Sequence, residues 1–290
     1  MSFRIVVLAK QVPDTHNVGK DAMNPDGTIN RAALPAIFNP EDLNALEMAL
    51  CVKDAIEGAT VTVITMGPPR AASIIREALY RGADNGYVLS DRRFAGSDTL
   101  ATSYAISKAV EKLGKIDMVF CGRQAIDGDT AQVGPQIAEK LGIPQITYAE
   151  SLIKATPEKV TIRRQLENGV ETVESTLPVL VTVCDAAPDC RFRHAHRLLK
   201  YRRACSASEA ASDGRNMEEL WNAYPYLKIE EWNADDINPE IVRLGMSGSP
   251  TKVKAIQNVV LSHKENQQVE PTQEALTQMM KELSDTHILD

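Results

Sequence analysis

Residues 121–135 read CGRQAIDGDTAQVGP and are the most informative stretch of this sequence. They follow the apolar run Met118-Val119-Phe120, form a turn rich in glycine and acidic residues, and then take on helical character near Thr130. If Asp129 or Thr130 caps that helix, the backbone N–H groups of 130–133 are free at its positive end. Such donors form a ready site for phosphate or pyrophosphate. The alternative is a tight strand-to-helix turn with an ordinary cap.

Three further residues of this stretch bear on a ligand. Gly122 and Gly128 should allow close backbone approach and unusual dihedral angles. Asp127 is placed either to accept hydrogen bonds from the hydroxyl groups of a nucleotide or to hold the loop. The run matches neither GxGxxG nor GxxxxGK[ST], so neither standard phosphate-binding motif applies.

The sequence on both sides of this stretch alternates between strand and helix patterns. Strands are predicted over 4–12, 60–67, 87–89, 118–121 and 146–148, and helices from Asn39-Pro40, over 70–82, over 98–113 and from near Thr130. This alternation predicts an α/β fold with a mostly parallel sheet and helices on both faces. Such sheets bind ligands at the carboxyl ends of their strands, where the strand order reverses. The candidate ligand residues are therefore Ala9-Lys10, Met66-Gly67 and Cys121 onward.

The pattern changes after residue 150. Two β-type runs flank Asn168-Gly169, a strong hairpin signal, and 177–184 reads as another core strand. Antiparallel strands of this kind are often added at the edge of a parallel sheet. Residues 204–290 read as an extended C-terminal arm with helices near 216–223 and 271–284. The stretch 232–252 has little apolar periodicity, so we expect it to lie on another surface, for which a partner subunit is the obvious candidate.

Composition restricts the classes of function. The chain has 290 residues and a net charge of −7, so it is no nucleic-acid binder as a whole. No apolar run approaches the length of a membrane span. The five cysteines are scattered and form no CxxC pair, which favours reduced thiols, a cytoplasmic location and no structural metal. No nucleophile or acid–base pair stands out, so no catalytic side chain is predicted.

Several stretches of the sequence resemble one known family. Residues 121–149, CGRQAIDGDTAQVGPQIAEKLGIPQITYA, closely resemble the corresponding run of electron-transfer flavoprotein beta subunits. Further matches follow the family in the same order: VLAKQVPDT (7–15), NPEDLNALEMAL (39–50), GADNGYVLSD (82–91), RRQLENGVETVESTLPVLVTV (163–183) and LGMSGSPTKV (244–253). The resemblance therefore covers essentially the whole chain.

This resemblance implies a Rossmann-like domain over 1–203 that binds an adenine nucleotide, and an arm over 204–290 that packs on the alpha subunit. The turn AIDGDTAQVGP is similar to the electron-bifurcating branch, in which the site holds FAD that is reduced by NADH. The alternatives are a conventional beta subunit with structural AMP and a nucleotide-binding regulatory module without a redox role. By motif position, the residues implied to line the nucleotide site are Ala9, Asn39, Met66, Gly67, Gly122, Gln124, Asp127, Asp129, Thr130, Ala131, Gln132, Val133 and Gly134.

The basic stretch within 186–203 matches the position of the family's recognition loop, which docks an acyl-CoA or other flavin dehydrogenase through an exposed apolar anchor. The usual anchor position falls at Ala195 or is displaced to Leu198, so the sequence departs from the family here. The implied partner-binding residues are Arg191, Arg193, Ala195, Leu198 and Lys200. The alternative is an ordinary solvated face of the protein.

Overall fold

The strands and helices follow the predicted alternation in a computed structural model, which describes residues 3–14, 34–251 and 268–285. The strands are β1 Arg4–Leu8, β2 Gln11–Pro13, β3 Ala36–Phe38, β4 Thr60–Met66, β5 Asn85–Leu89, β6 Met118–Gly122, β7 Gln145–Ala155, β8 Lys159–Leu166, β9 Gly169–Thr176, β10 Val179–Val183 and β11 Glu230–Trp232. The α-helices are α1 Pro40–Ala55, α2 Ala72–Arg81, α3 Thr99–Lys112, α4 Val133–Leu141, α5 Ala195–Tyr201, α6 Ala207–Ser212, α7 Glu218–Ala223 and α8 Gln273–Asp285.

The central sheet has the strand order β11-β5-β4-β1-β6-β10-β7-β8-β9 within the described residues. Strands β11 to β7 of this order pair in parallel, and β8 and β9 are added antiparallel at one edge. The predicted α/β fold with a mostly parallel sheet and antiparallel edge strands is therefore confirmed. From β1 the chain proceeds to β4 and β5 on one side and to β6 on the other, so the order reverses between β1 and β6.

Helices cover both faces of the sheet, and a separate apolar core lies under each. Helices α1 and α2 enclose one core with Ile5, Val63 and Phe120. Helices α3 and α4 enclose the other, which contains Val6 and Ile137. These side chains are almost completely removed from water, which contributes about 1.5–3 kcal/mol for each large apolar group. The packing fixes the sheet as a rigid platform for the loops at its carboxyl edge.

The first strand is shorter than the prediction of 4–12. The N–H of Ala9 still bonds to the carbonyl of Ile64 at 2.9 Å, but the N–H of Lys10 donates to the Asp42 carboxylate instead of a neighbouring strand. The chain therefore leaves the sheet after Leu8. Residues of β2 then pair antiparallel with β3 in a separate two-stranded ribbon.

The stretch 232–252 does lie on another surface in its described part, which ends at residue 251, but that surface belongs to this chain and is not the partner subunit that was the obvious candidate. Strand β11 pairs with β5 in this chain's own sheet, and the ring of Trp232 stacks on Tyr87 with centroids 4.1 Å apart. Ala234, Ile237 and Leu244 are buried against the core under α3 and α4. Each is an isolated apolar residue, which is why periodicity did not reveal the contact. The arm residues 252–267 and 286–290 lie outside the described part.

The other C-terminal predictions fit the structure. The Asn-Gly hairpin joins β8 and β9, and β10 lies fully buried between β6 and β7. Helices α7 and α8 fall where the two arm helices were expected.

In the described ranges, no helix combines the length and apolar character that a membrane crossing requires. Nor do these ranges contain a cluster of His, Cys, Asp and Glu side chains that could hold a metal ion.

Candidate functional site

The start of α1 lies against the loops that leave β1 and β6, where the strand order reverses. Its first turn carries Glu41 and Asp42, and both side chains are buried. Acidic residues are common in the first turn of a helix because they complement its dipole. Here they have a second role, since both carboxylates bind backbone N–H groups of the neighbouring loops. The helix start thereby ties together the two loops of the cleft.

Asp42 bridges the ends of the two strands. One carboxylate oxygen accepts the N–H of Lys10 and the other accepts the N–H of Gly122, each at 2.8 Å. Burial raises the pKa of Asp42 to about 7, although the bonds from Lys10 and Gly122 act in the opposite direction. The pKa of this carboxyl group is therefore close to neutral pH, because the group lies in a poorly solvated position.

This raised pKa predicts a specific pH dependence of stability. Between about pH 4 and 7 the folded chain retains a proton that an unfolded chain releases, so the free energy of unfolding should fall as pH rises. The contribution of one group is at most about 1.4 kcal/mol per pH unit. Asp42→Asn stays neutral throughout and should lack this component. Urea unfolding of both proteins at several pH values between 4.5 and 7 measures it, and parallel stability profiles would contradict the assignment.

Glu41 holds the next part of the same loop. Its carboxylate accepts the N–H of Gln124 at 2.8 Å and pairs with the Arg123 guanidinium at 2.7 Å. Hydrogen bonds to Glu41 raise the pKa of Arg123 above its ordinary value. The buried carboxylate is thus compensated by a charge partner and a backbone donor, as burial of an acidic group requires.

Asn39 stands at the cap position of α1 but has a different role. Pro40 does begin α1, but the Asn39 side chain makes no capping hydrogen bond. Its Nδ2 donates to the carbonyl of Gln124 at 2.8 Å, and its Oδ1 accepts the N–H of Ile126 at 3.1 Å. The side chain is completely buried. It supplies the hydrogen-bond partners that two backbone groups of the loop would otherwise lack.

Two polar pairs hold the outer part of the loop. The Lys10 ammonium lies 2.7 Å from the Asp127 carboxylate, so Asp127 holds the loop, one of the two roles expected for it. The Gln124 side-chain amide donates to Asp129 at 3.0 Å. Lys10 is half-exposed, so its ion pair with Asp127 contributes little to stability and mainly restricts loop geometry.

Helix α4 begins at Val133, three residues after the predicted start. Asp129 and Ala131 have φ angles of 48° and 52°, and residues in this left-handed region cannot continue a right-handed helix. Gln132 is the residue before the helix and makes no side-chain cap. The predicted caps at Asp129 and Thr130 are therefore wrong, and 129–132 forms an irregular turn.

This turn leaves a series of backbone donors unused. Among the described residues, the N–H groups of 130–134 have no hydrogen-bond acceptor. Turns with alternating left-handed residues form concave anion-binding sites from successive N–H groups, and the start of α4 adds its dipole. The later helix start therefore moves the donors on which the predicted phosphate site depends partly from the helix to the turn.

The glycines of the stretch have unequal roles. A Cβ at Gly122 would lie 2.5 Å from Asp42 Oδ1, and one at Gly134 would lie 2.7 Å from the Thr182 side chain and 2.8 Å from Cys121 Sγ. Both glycines are required by packing within the protein. A Cβ at Gly128 would meet nothing within 4 Å, so this position is open to the cleft.

The remaining predicted residues lie at the same edge of the sheet. Ala9 follows β1, and Met66 and Gly67 end β4, the strand next to β1. Hydrogen bonds connect Asn39, Gln124 and 122–129 directly, whereas none joins Met66 or Gly67 to that network in the part of the chain that the structure describes. The residues predicted to line the site therefore fall into two sets. One is connected by hydrogen bonds, and the other consists of Met66 and Gly67 at the end of β4.

Sequence reasoning missed three contributors to this site. Glu41 and Asp42 were not among the predicted site residues, and neither was Thr99 of α3. The Thr99 hydroxyl donates to the Gln132 side chain at 2.8 Å and so links α3 to the turn before α4. An adjacent acid pair directly after Asn-Pro, within an otherwise apolar helix, was a usable signal for buried partners. No signal in the sequence pointed to Thr99.

The basic stretch is held firmly to the body of the protein. The Arg191 side chain pairs with Glu47 at 2.9 Å and Asp54 at 2.8 Å, and Arg193 pairs with Glu77 at 2.9 Å. Hydrogen bonds to Glu47 raise the pKa of Arg191. These arginines, predicted to bind a partner, are thus already engaged with α1 and α2.

The exposed apolar residues of this stretch differ from the predicted anchors. Phe192 is 95% exposed and Leu199 is 63% exposed. Leu198 is half-buried, and Ala195 is exposed but small. Lys200 lies over the rings of two tyrosines, 4.9 and 4.7 Å from their centroids. Phe192 lies between the two fixed arginines. Among the large apolar side chains of the described residues, it is the one most exposed to solvent.

Comparison with known proteins agrees with the fold. A family model described as "Electron transfer flavoprotein domain" matches residues 26–210. The chain is 43% identical to electron transfer flavoprotein subunit beta of Clostridium acetobutylicum, over 98% of this chain and 99% of that one. It is 46% identical to the acryloyl-CoA reductase electron transfer subunit gamma of Anaerotignum propionicum, over 86% of each chain. It is 43% identical to the caffeyl-CoA reductase-Etf complex subunit CarD of Acetobacterium woodii, again over 86% of each. The chain therefore belongs to the electron transfer flavoprotein family, among its beta subunits.

Proposed function

We propose that this chain transfers electrons as the beta subunit of a heterodimeric electron transfer flavoprotein, with FAD in the cleft between β1 and β6 and NADH as the electron donor. The observation that carries the proposal is the turn 129–132, which follows β6 at the switch point of the sheet and whose N–H groups at 130–132 have no acceptor among the described residues. The odd number of scattered cysteines favours a cytoplasmic setting.

The donors of the turn fit a phosphate ester. The N–H groups of 130–134 lack acceptors among the described residues. Phosphate oxygens would supply those acceptors. The open position beside Gly128 leaves space for a ligand to approach the backbone. This fit applies to any adenine nucleotide and does not by itself separate FAD from AMP.

The chemistry would come from the bound flavin, which accepts a hydride and can release electrons singly. The contribution of this chain is to bind and orient it. The turn 129–132 would hold the phosphates, and Ala9, Met66 and Gly67 would form the floor of the cleft. Asn39, Glu41 and Asp42 would fix the loop around it through their bonds to the backbone.

Support for FAD over AMP comes from the sequence of the turn and from the relatives. The run 125–135 is similar to the electron-bifurcating branch of the family. Two relatives are named as electron transfer subunits of acryloyl-CoA and caffeyl-CoA reductase systems. The competing proposals are structural AMP in the same cleft and a regulatory nucleotide-binding role without electron transfer.

A count of cofactors tests these alternatives. The chain is co-produced with its alpha partner, the heterodimer is denatured, and the released FAD and AMP are quantified by chromatography. Two FAD and no AMP per heterodimer is the expected result, followed by rapid bleaching of flavin absorbance by NADH. One FAD with one AMP rejects FAD in this cleft but retains the nucleotide site. A heterodimer without adenine nucleotide in this chain rejects the site itself.

We also propose that Phe192 is the contact by which the complex docks its dehydrogenase. The N–H of Arg191 donates to Glu47 at 2.8 Å, and the N–H of His194 donates to the Tyr80 carbonyl at 3.0 Å. The backbone on both sides of Phe192 is thereby fixed before binding, which lowers the entropy lost on association. An aromatic side chain in a rigid surround is typical of an interface hot spot.

Phe192→Ala should raise the KM for the dehydrogenase partner about tenfold, with little change in stability, because truncation of a hot-spot aromatic costs on the order of 1–2 kcal/mol. Steady-state electron transfer at varied dehydrogenase concentration measures this effect. Ile153→Ala is the matched control, since Ile153 is also exposed, at 56%, but lies on β7 away from the basic stretch. Equal KM values for the two variants would reject Phe192 as the anchor.

The described end of the arm suits contact with the alpha subunit. Helix α8 has no buried residue, although Leu276, Met279, Met280 and Leu283 recur at helical spacing. We propose that this apolar stripe packs on the alpha subunit. A chain ending at residue 267 should lose co-purification of the alpha subunit, and undiminished co-purification would reject this contact.

A further inference from the structure

Asp98 connects the C-terminal segment 245–251 to the start of α3. One carboxylate oxygen caps the helix by accepting the N–H groups of Leu100 and Ala101 at 2.9 and 3.0 Å. The other accepts the N–H and the hydroxyl of Thr251 at 3.1 and 2.7 Å. The N–H of Asp98 itself donates to the hydroxyl of buried Ser249 at 2.8 Å.

The next residue connects the same helix turn to the candidate nucleotide site. The Thr99 hydroxyl donates to the side-chain oxygen of Gln132, the last residue of the turn 129–132. One helical turn further on, Ser103 donates to Gln136 in the first part of α4 at 3.0 Å. Thus the first turn of α3 lies between the C-terminal segment and the turn that carries the unused N–H groups.

We propose that Asp98 is a positioning residue for nucleotide binding, and that the segment 245–251 is part of the same support. This inference rests on the proposed nucleotide site. The left-handed residues Asp129 and Ala131 are held in a sparsely populated conformation, which persists only where neighbouring contacts enforce it. Two of these contacts are the bond from Gln124 to Asp129 and the bond from Thr99 to Gln132.

Removal of the Asp98 charge should therefore loosen the second of these contacts. In Asp98→Asn the amide oxygen can still cap α3, because asparagine is as good a cap as aspartate. The amide nitrogen cannot accept the N–H of Thr251, so this bond to the C-terminal segment is lost, while the helix start and the bond from the backbone N–H of residue 98 to Ser249 are retained. The expected result is dissociation of the bound adenine nucleotide about tenfold faster, the effect of one hydrogen bond.

Asp91 offers a matched control. It also caps a short helical turn, and it also binds the C-terminal region, since it accepts the N–H of Ala234 at 3.0 Å. Within the described residues it makes no hydrogen bond to α3 or to 129–134. Asp91→Asn should therefore lower thermal stability about as much as Asp98→Asn does. It should leave the rate of nucleotide dissociation within twofold of the wild-type rate.

The experiment uses the full chain co-produced with its alpha partner. The co-purified nucleotide is identified as FAD or AMP by chromatography, and its release after dilution is timed alongside the Tm of each variant. Thr99→Val should accelerate nucleotide release like Asp98→Asn, whereas Thr99→Ser should keep the wild-type rate. The double variant Asp98→Asn/Thr99→Val should release nucleotide no faster than the faster of the two single variants.

Two outcomes overturn the inference: wild-type release rates in Asp98→Asn and Thr99→Val, or equal acceleration in Asp98→Asn and Asp91→Asn. A wild-type heterodimer without nucleotide in this chain is a different failure, because it rejects the proposed function on which the inference rests.

Discussion

Gly122→Ala should eliminate nucleotide retention and lower the free energy of unfolding by about 3 kcal/mol, at the upper end of the cost of overpacking. The new methyl group would lie 2.5 Å from Asp42 Oδ1 and 2.8 Å from the backbone carbonyl carbon of Glu41. A rotamer change cannot relieve a contact with backbone, so the start of α1 must move. That movement would break the bonds from both carboxylates to the loops of the cleft.

Chemical denaturation and the nucleotide content of the purified heterodimer measure these two effects. Gly128→Ala is the control from the same loop, since its Cβ would meet nothing within 4 Å and its stability should stay within about 0.5 kcal/mol of the wild type. Its nucleotide content then reports separately whether a ligand contacts position 128. Wild-type stability in Gly122→Ala would contradict the packing described at the start of α1.

Asn39→Ala should weaken nucleotide binding about a hundredfold, because it leaves the Gln124 carbonyl and the Ile126 N–H without partners, at about 1–3 kcal/mol each. These groups belong to the backbone that leads into the turn 129–132. Isothermal titration of the nucleotide-depleted heterodimer with FAD or AMP measures the change in affinity.

Asn44 provides the matched control on the same helix. It is also buried, and its Nδ2 also donates to two backbone carbonyls, those of Ala187 and Pro188 at 3.0 and 2.9 Å. Asn44→Ala should therefore cost similar stability while leaving nucleotide affinity near the wild-type value. Equal loss of affinity in the two variants would mean that Asn39 acts only through general stability.

The sheet and the meeting of its strand ends at one edge were predictable because both depend on local patterns. Apolar runs such as 4–8 and 118–121 predict buried parallel strands, and amphipathic stretches between them predict the crossover helices. Parallel strands place their carboxyl ends at one edge, so Ala9, Gly67 and Gly122 were brought together correctly. No side-chain contact had to be known for that prediction.

The turn before α4 was not predictable in the same way. Thr130 is an acceptable helix cap by composition, but Asp129 and Ala131 adopt left-handed backbone that tertiary contacts hold in place. Those contacts come from Gln124 and Thr99. Thr99 lies thirty-three positions before Gln132, the residue that it binds. Exposure of Phe192 is a similar case, because it follows from ion pairs of its neighbours with α1 and α2.

The position of β11 bears on how the protein is made. The strand at one edge of the sheet comes from residues 230–232, and it pairs with β5, which is synthesised far earlier. Until the ribosome has released the later segment, β5 presents an unpaired edge that can pair with another chain. A nascent or truncated product ending near residue 203 would therefore leave β5 as an unpaired edge and be prone to aggregation.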